Sequence, residues 1–248
     1  KKYLIISARY SIMTTEDLTF YGSDPGAVKY GNFINYYSFH SAKQRIDNLH
    51  PQMFPRTTET SILCLDIGCN TGELTTELHS YLKTIYSNVD IHMLAIDIDP
   101  TLINRAQETN TNSDISFQAI NIMEETDCDV IHKYLKSHER KSFDVTFCFS
   151  VTMWIHLNNG DDGLKQFLQF IKDISKTIIM EPQPWHCYRN AQRRVKKSGN
   201  SFPLYEQLEI RSDVDIVIEN ILTQNSHRKN YESSASSWKR KVQSYQCS

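Results

Sequence analysis

No apolar run in this 248-residue chain approaches the ~20 residues that a membrane-spanning helix needs, so no membrane partner is expected. The 27 Lys and Arg against 29 Asp and Glu leave a formal charge of −2. No global basic excess points to nucleic acid, and any anion site has to be a local cluster. No pair among the six cysteines has C-x-x-C spacing, which argues against a zinc site, and no metal is expected. Three of them lie in or beside apolar runs and read as buried thiols, a usage that fits the reducing cytoplasm or nucleus. No internal repeat is visible. Tyr3-Leu4-Ile5-Ile6 is too short for the apolar core of a signal peptide. Lys1 is not an initiator, so the chain is expected to be trimmed at its start.

What is present is an ordinary globular composition, 40% hydrophobic and 23% charged, too apolar for wholesale disorder. A chain of this length suits one large domain or two small ones and needs no disulfide staple. Residues 1–30 lack a clear period and carry Gly22, Pro25 and Gly26; with the next ten they are assigned to an N-terminal arm (1–40) that contributes to the active site. Residues 41–248 are assigned to the main domain. A short helix capped by Ser41 is predicted over 41–50.

From residue 62 an alternating pattern begins. Short apolar runs at 62–67, 91–96, 115–120, 143–150 and 177–180 read as buried strands. Between them lie stretches with helical spacing, such as Leu74, Leu78, Leu82 and Ile85. Strands alternating with helices predict an α/β fold, a mostly parallel, doubly wound sheet covered on both faces. Beyond Pro182 and Pro184 come a basic helical stretch, a helix at 213–223 and a candidate strand at 237–246, without a separate core.

Asp66-Ile67-Gly68-Cys69-Asn70-Thr71-Gly72 joins the first strand to its helix. Gly68 allows a tight turn and close ligand approach, and Gly72 permits close packing at the helix start. Asp97, at the end of the next strand, stands where a doubly wound sheet meets a ribose. The loop is not G-x-G-x-x-G: Asn70 replaces the middle glycine and Asp66 precedes the first. An acid there suits a cationic ligand such as S-adenosylmethionine better than a pyrophosphate. A dinucleotide site and a purely structural turn are the alternatives. Asn121, after the third strand, either reads a base edge or caps the next helix. Asp127 and Asp129 read as a solvated face.

Two segments mark an acceptor side. Ser150 to Asn158 holds Trp154 and His156 and is either acceptor-facing or a buried aromatic turn. Glu181-Pro182-Gln183-Pro184-Trp185 fixes Trp185 as a pocket wall or, alternatively, a core plug; the wall is favoured. Residues 189–197 then carry five basic side chains. On a helix, Arg189, Arg193, Lys196 and Lys197 share one arc. This stripe binds phosphate or RNA, or is a solvated face; Lys239-Arg240-Lys241 could add to it.

These residues resemble the Bicoid-interacting-three methyltransferases. The resemblance rests on Tyr30-Gly31-Asn32-Phe33-Ile34-Asn35-Tyr36-Tyr37, Leu65 to Gly72, Asp97-Ile98-Asp99-Pro100, Trp154 to Asn158 with Gly160-Asp161, and Glu181 to Trp185. It spans residues 30–224. It implies a Rossmann-like class I fold, S-adenosylmethionine as cofactor with S-adenosylhomocysteine as product, and methylation of RNA 5′ ends. Ser150 to Trp154, Cys187-Tyr188-Arg189 and Ile221 to Gln224 are similar to the branch that acts on 5′-monophosphate ends. That branch implies a cytoplasmic enzyme using histidine tRNA and precursor microRNA; the other branch methylates the γ-phosphate of a triphosphate-ended small nuclear RNA. The cofactor residues carried over are Arg45, Asp66, Gly68, Asn70, Asp97, Asn121 and Ile122, with Arg45 pairing the methionine carboxylate. Tyr36, His40 and His156 are the candidate catalytic-centre residues; Arg189 and Arg193 are the candidate phosphate clamp, and Tyr36 or Trp185 the stacking platform. A monomer is expected. The sequence departs from the family after Gln224, where an apolar strand is missing and Asn225 to Ser237 is polar, so the last sheet strands are expected to be trimmed or shortened. Rival readings are a small-molecule methyltransferase, which would not need the basic stripe, and a non-catalytic RNA-binding relative, whose glycine loop should be degraded.

Overall fold

Seven strands form one sheet in the computed structural model, which describes residues 14–21 and 26–247. They are β1 (Ser61–Ile67), β2 (Asp90–Asp97), β3 (Ile115–Ala119), β4 (Val145–Phe149), β5 (Thr177–Glu181), β6 (His227–Glu232) and β7 (Gln243–Cys247), in the order β3-β2-β1-β4-β5-β7-β6. The first five pair in parallel, and β7 runs antiparallel between β5 and β6. The Tyr3–Ile6 run, Gly22 and Pro25 lie outside the described residues.

The period-two alternation of a strand sends successive residues to opposite faces, and both faces here are covered. Leu63, Leu65, Ile67, Leu94, Ile96, Ile178 and Met180 share one apolar cluster with α5 (Glu125–Ser137), α6 (Thr152–Asp173), α7 (Trp185–Lys197) and α8 (Val214–Thr223). Ile62, Cys64, Met93, Ala95, Phe147 and Ile179 pack on the other face. Their partners are α2 (Ala42–Asp47), α3 (Glu73–Ile85) and α4 (Pro100–Thr109); α1 (Tyr36–Phe39) is a single short turn before α2. Cys64, Cys69 and Cys148 are buried thiols within these clusters. Tyr188, Val195, Ile218, Leu222 and Tyr245 join the first cluster, so the segment beyond Pro184 shares the sheet's core.

The region after Gln224 corrects the expectation of a missing strand. His227–Glu232 is a strand although it is polar, because it lies at the sheet edge and pairs with β7 alone. A charged edge needs no apolar run and discourages pairing with a second chain. β7 starts at Gln243 rather than 237, and β4 covers Val145–Phe149 rather than 143–150. Ser41 stands at the N-cap of α2 without a side-chain cap bond. Residues 152–159 are helical rather than a turn, and α6 is broken at Gly160 (φ 71°, ψ −174°).

The chain winds one way through β1, β2 and β3 and the other way through β4 and β5, so the order reverses between β1 and β4. Ligands of such sheets bind outside the carboxyl ends at that point. The turn there needs glycine: Gly72 has φ +80°, and a Cβ on it would sit 2.7 Å from the Phe117 ring. Gly72→Ala is expected to cost about 1–3 kcal/mol, read as a lower urea midpoint at unchanged slope.

Candidate active site

A cleft of about 1030 Å³ opens along the carboxyl ends of β1, β2 and β4, lined among others by Asp66, Gly68, Asp97, Asn121, Ile122 and Ser150. Its first wall is the loop after β1. Gly68 has φ +77°, and a Cβ there would fall 2.4 Å from Val151 Cγ2. All five backbone N–H groups of Gly68–Gly72 are already used. Gly68 and Cys69 donate to the Ile96 carbonyl (2.8 and 3.0 Å), and Gly72 to that of Cys69 (3.0 Å). Asn70 donates to Asp97 Oδ2 and Thr71 to Asn70 Oδ1, both at 2.9 Å. A pyrophosphate needs such donors unpaired, so the loop does not fit a dinucleotide.

It does fit a ligand with an amino group and a ribose. Asp66 and Asp97 are both buried on the cleft wall. Asp66 Oδ2 accepts from Thr75 Oγ1 at 2.6 Å, and Asp97 Oδ1 from the Asp99 N–H at 3.0 Å. Burial pushes each carboxyl up to about 6, which a cationic ligand would reverse. Asn70, at φ 52°, also donates its side-chain amide to the Phe33 carbonyl at 2.9 Å, holding residues 31–33 over the cleft. Gly31 (φ +80°) lies so close to Trp154 that a Cβ would be 2.3 Å from the indole nitrogen. Asn121 Oδ1 accepts from the Met123 N–H (3.1 Å), and its own N–H donates to Asp127 Oδ2 (2.9 Å). Asp127 is therefore a half-buried turn anchor, not a solvated residue; Asp129 is exposed.

At the far wall a buried polar cluster surrounds Glu181, at the end of β5. Arg45 Nη2 donates to Tyr36 Oη (2.5 Å), Ser150 Oγ (2.9 Å) and Glu181 Oε1 (3.0 Å). Arg240 Nη1 reaches Ser150 Oγ at 2.7 Å and Glu181 Oε1 at 3.5 Å. Ser150 donates to the same Oε1 (2.6 Å), and Trp238 Nε1 to Oε2 (3.0 Å). Burial alone would raise the Glu181 carboxyl, but Arg45 and Arg240 hold it below its ordinary value. Ser150 is left-handed (φ 61°), a conformation tied to these bonds.

The predicted acceptor residues divide. Tyr36 lines the cleft. His40 stands between Tyr36 and Trp238, 5.4 and 4.8 Å between ring centres, and burial with the two guanidiniums lowers its pKa to about 4. His156 is not at the cleft. It is fully buried, bridging Asp161 (2.6 Å) and Tyr188 (3.1 Å), because its helical position faces the core. Trp185 does not wall the cleft: half-buried at the start of α7, it stacks on Tyr188 and Tyr205, with centroids 4.9 and 5.5 Å away. Arg189, Arg193, Lys196 and Lys197 are exposed on α7, opposite its buried Tyr188, Ala191 and Val195, and none lines the cleft. Trp238 was not singled out, Ser150 and Glu181 were named only as the first residues of the acceptor-side segments, and Arg240 only as an addition to the basic stripe. The available signal was a lone acid ending an apolar strand, which requires a cation partner elsewhere.

Residues 65–176 match the profile of a methyltransferase domain and residues 143–247 that of Bicoid-interacting protein 3 (Bin3). The pre-miRNA 5′-monophosphate methyltransferase of Xenopus laevis is 42% identical over 215 residues, 81% of this chain and 84% of that protein. The chain belongs to the Bin3 family. The RNA 5′-monophosphate methyltransferase of Homo sapiens is 38% identical, over 81% of this chain and 74% of that one. The U6 snRNA methylphosphate capping enzyme Amus of Drosophila melanogaster is 32% identical, over 81% and 65%. Among solved structures, the N-methyltransferase NodS from Bradyrhizobium japonicum WM9 superposes with a TM-score of 0.52 at 13% identity, covering 86% of this chain and 97% of that one, a likeness of fold alone. The fold is thus that of the class I methyltransferases, as the alternating strands and helices predicted.

The raised carboxyls of Asp66 and Asp97 set opposite pH trends for folding and binding. The ligand-free fold holds their protons more tightly than the unfolded chain does. Their contribution to stability is therefore present at acid pH and is lost as pH rises through about 6. The ligand's ammonium and ribose hydroxyls need them ionised. S-adenosylhomocysteine should bind more weakly at pH 5 than at pH 7 by roughly tenfold for each carboxylate it meets, with proton release near pH 6, measured calorimetrically in two buffers. A flat affinity would show that neither carboxylate meets the ligand.

Proposed function

We propose that this Bin3-family protein methylates an oxygen of the 5′-monophosphate of RNA, with S-adenosylmethionine as donor. The observation that carries this is the 42% identical relative of stated activity, matched over 84% of its length. The loop whose N–H groups are all spent and whose carboxylates are buried supports the donor. Precursor microRNA and histidine tRNA are the proposed substrates, and the proposed setting is a cytoplasmic monomer. No helix among the described residues is long and apolar enough to cross a membrane. Residues 1–40 act as the arm that completes the site; within it, Gly31, Asn32 and Tyr36 line the cleft.

A phosphate oxygen is already an anion at neutral pH, so no residue need remove a proton. The donor supplies an electrophilic methyl carbon on a sulfonium. Bound in the cleft, that sulfonium would be the leaving group, keeping the electron pair of its carbon–sulfur bond while the phosphate oxygen takes the methyl. The protein's task is positioning and exclusion of water. Asp66 would face the amino group, Arg45 the carboxylate and Asp97 the ribose; Gly68 leaves the backbone open to them, and Tyr36 stands on the acceptor-side wall.

Matched RNAs ending in 5′-hydroxyl, monophosphate and triphosphate test the reading. Label should appear on the monophosphate, be absent from the hydroxyl and be poor on the triphosphate. Label on the hydroxyl RNA would place the methyl on a base or ribose. A triphosphate preference would align the protein with its capping relative.

The exposed stripe on α7 is proposed as a contact for the RNA body rather than for the reacting phosphate. Replacing Arg189, Arg193, Lys196 and Lys197 by Gln should lower RNA affinity and reduce the salt slope by about 0.7–0.9 per lost contact, leaving S-adenosylhomocysteine affinity intact. An unchanged slope would make the stripe merely a solvated face.

A further inference from the structure

We propose that Arg240, on the loop between β6 and β7, is the residue that grips the acceptor's terminal phosphate, making the cluster around Glu181 a phosphomonoester site. This rests on the phosphate-acceptor reading above. Arg45 and Arg240 share one carboxylate oxygen, at 3.0 and 3.5 Å. The two side chains are 1% and 10% exposed, and Glu181 is fully buried. His40 adds no charge at neutral pH. The cluster therefore buries one more positive charge than negative, a costly arrangement unless an anion joins it. The cofactor's carboxylate is assigned to Arg45 and its ammonium to Asp66, so it leaves the positive charge of Arg240 in place. A phosphomonoester, at about −1.5 to −2, offsets it; a hydroxyl end does not.

The Arg240 guanidinium is anchored on one side and uncommitted on the other. Arg240 is anchored by Nη1, on Ser150 and Glu181. Its Nε is buried without a hydrogen-bond partner, and Nη2 has a sulfur contact, Cys187 Sγ at 3.7 Å. Nε and Nη2 form the edge of the planar group that pairs with two oxygens of a phosphate. Arg45 Nε is likewise buried without a partner, but its Nη2 is already committed to three oxygens, so only Arg240 keeps both atoms of that edge for a phosphate. Ser150, which Arg240 shares with Arg45, is itself on the cleft wall. Two oxygens held on that edge leave the third to attack.

The test is equilibrium binding, with S-adenosylhomocysteine present, of one RNA carrying either a 5′-phosphate or a 5′-hydroxyl, with inorganic phosphate as competitor. The wild type should prefer the phosphorylated end and lose that preference as inorganic phosphate is added. In Arg240→Met the preference should fall by about tenfold or more, while 5′-hydroxyl RNA and S-adenosylhomocysteine bind as before. Arg240→Lys, which keeps the cation but not the two-toothed edge, should retain part of it, and it decides the matter if the Met variant does not melt cooperatively. A phosphate-to-hydroxyl ratio unchanged in the folded variant would reduce Arg240 to a structural partner of Glu181. A wild type that methylates 5′-phosphate RNA without preferring it in binding would overturn this proposal and leave the proposed function standing. Absence of methyl transfer to 5′-phosphate RNA would overturn both.

Discussion

The buried carboxylate of Glu181 gathers four other stretches of chain around the end of β5. It sits at the end of β5 and holds Arg45 of α2, Ser150 beyond β4, and Trp238 and Arg240 from the β6–β7 loop; through Arg45 it also fixes Tyr36. An unpaired charge at full burial would cost several kcal/mol, so the segments that supply its partners are held in place. The acceptor wall of the cleft is a consequence of that requirement. The left-handed backbone at Ser150 is part of the same bargain, since its hydroxyl is bonded to both arginines and the acid.

Asp97 plays the matching part on the donor wall. It accepts backbone N–H groups from Asn70 and Asp99, and so ties the first loop to the end of β2. Asp99 in turn caps α4 through the Thr101 N–H (2.8 Å) and accepts from Asn32 at 2.8 Å. The loop is thereby rigid before any ligand arrives, which limits the ordering entropy that binding must overcome. The two walls differ in sign: one offers buried carboxylates to a cation, the other buried guanidiniums to an anion. A transfer between a sulfonium and a phosphate needs that polarity.

Much of the sheet was legible because buried parallel strands are apolar on both faces. β1, β2 and α3 lie within a residue of where their patterns place them. β6 was not legible, since an edge strand carries no such pattern. The donor wall could be read because its loop is local: Asp66, Gly68, Asn70 and Asp97 lie within a strand–helix–strand unit and all line the cleft. The acceptor wall could not. Arg45 and Glu181 are 136 positions apart, and no spacing rule links them. His156 and Trp185 stand in segments rich in aromatic and polar residues, a composition shared by active sites and by well-satisfied cores. Only the fold tells the two apart, turning His156 into the core, stacking a half-buried Trp185 on Tyr188 away from the cleft, and turning Arg240 inward beside an exposed Lys239.

β7 follows β6 in the chain yet lies between β6 and β5 in the sheet. A chain emerging from the ribosome in order would complete β1 to β5 with the outer edge of β5 still open, and β6 would have no neighbour to pair with. Only when residues 243–247 insert does that edge close, and the preceding loop carries Trp238 and Arg240 onto Glu181 in the same movement. The donor wall can therefore be finished while the acceptor wall is still being made. A nascent chain would be able to hold its cofactor before it could recognise an RNA end, and its exposed β5 edge is where a chaperone would be needed in the interval.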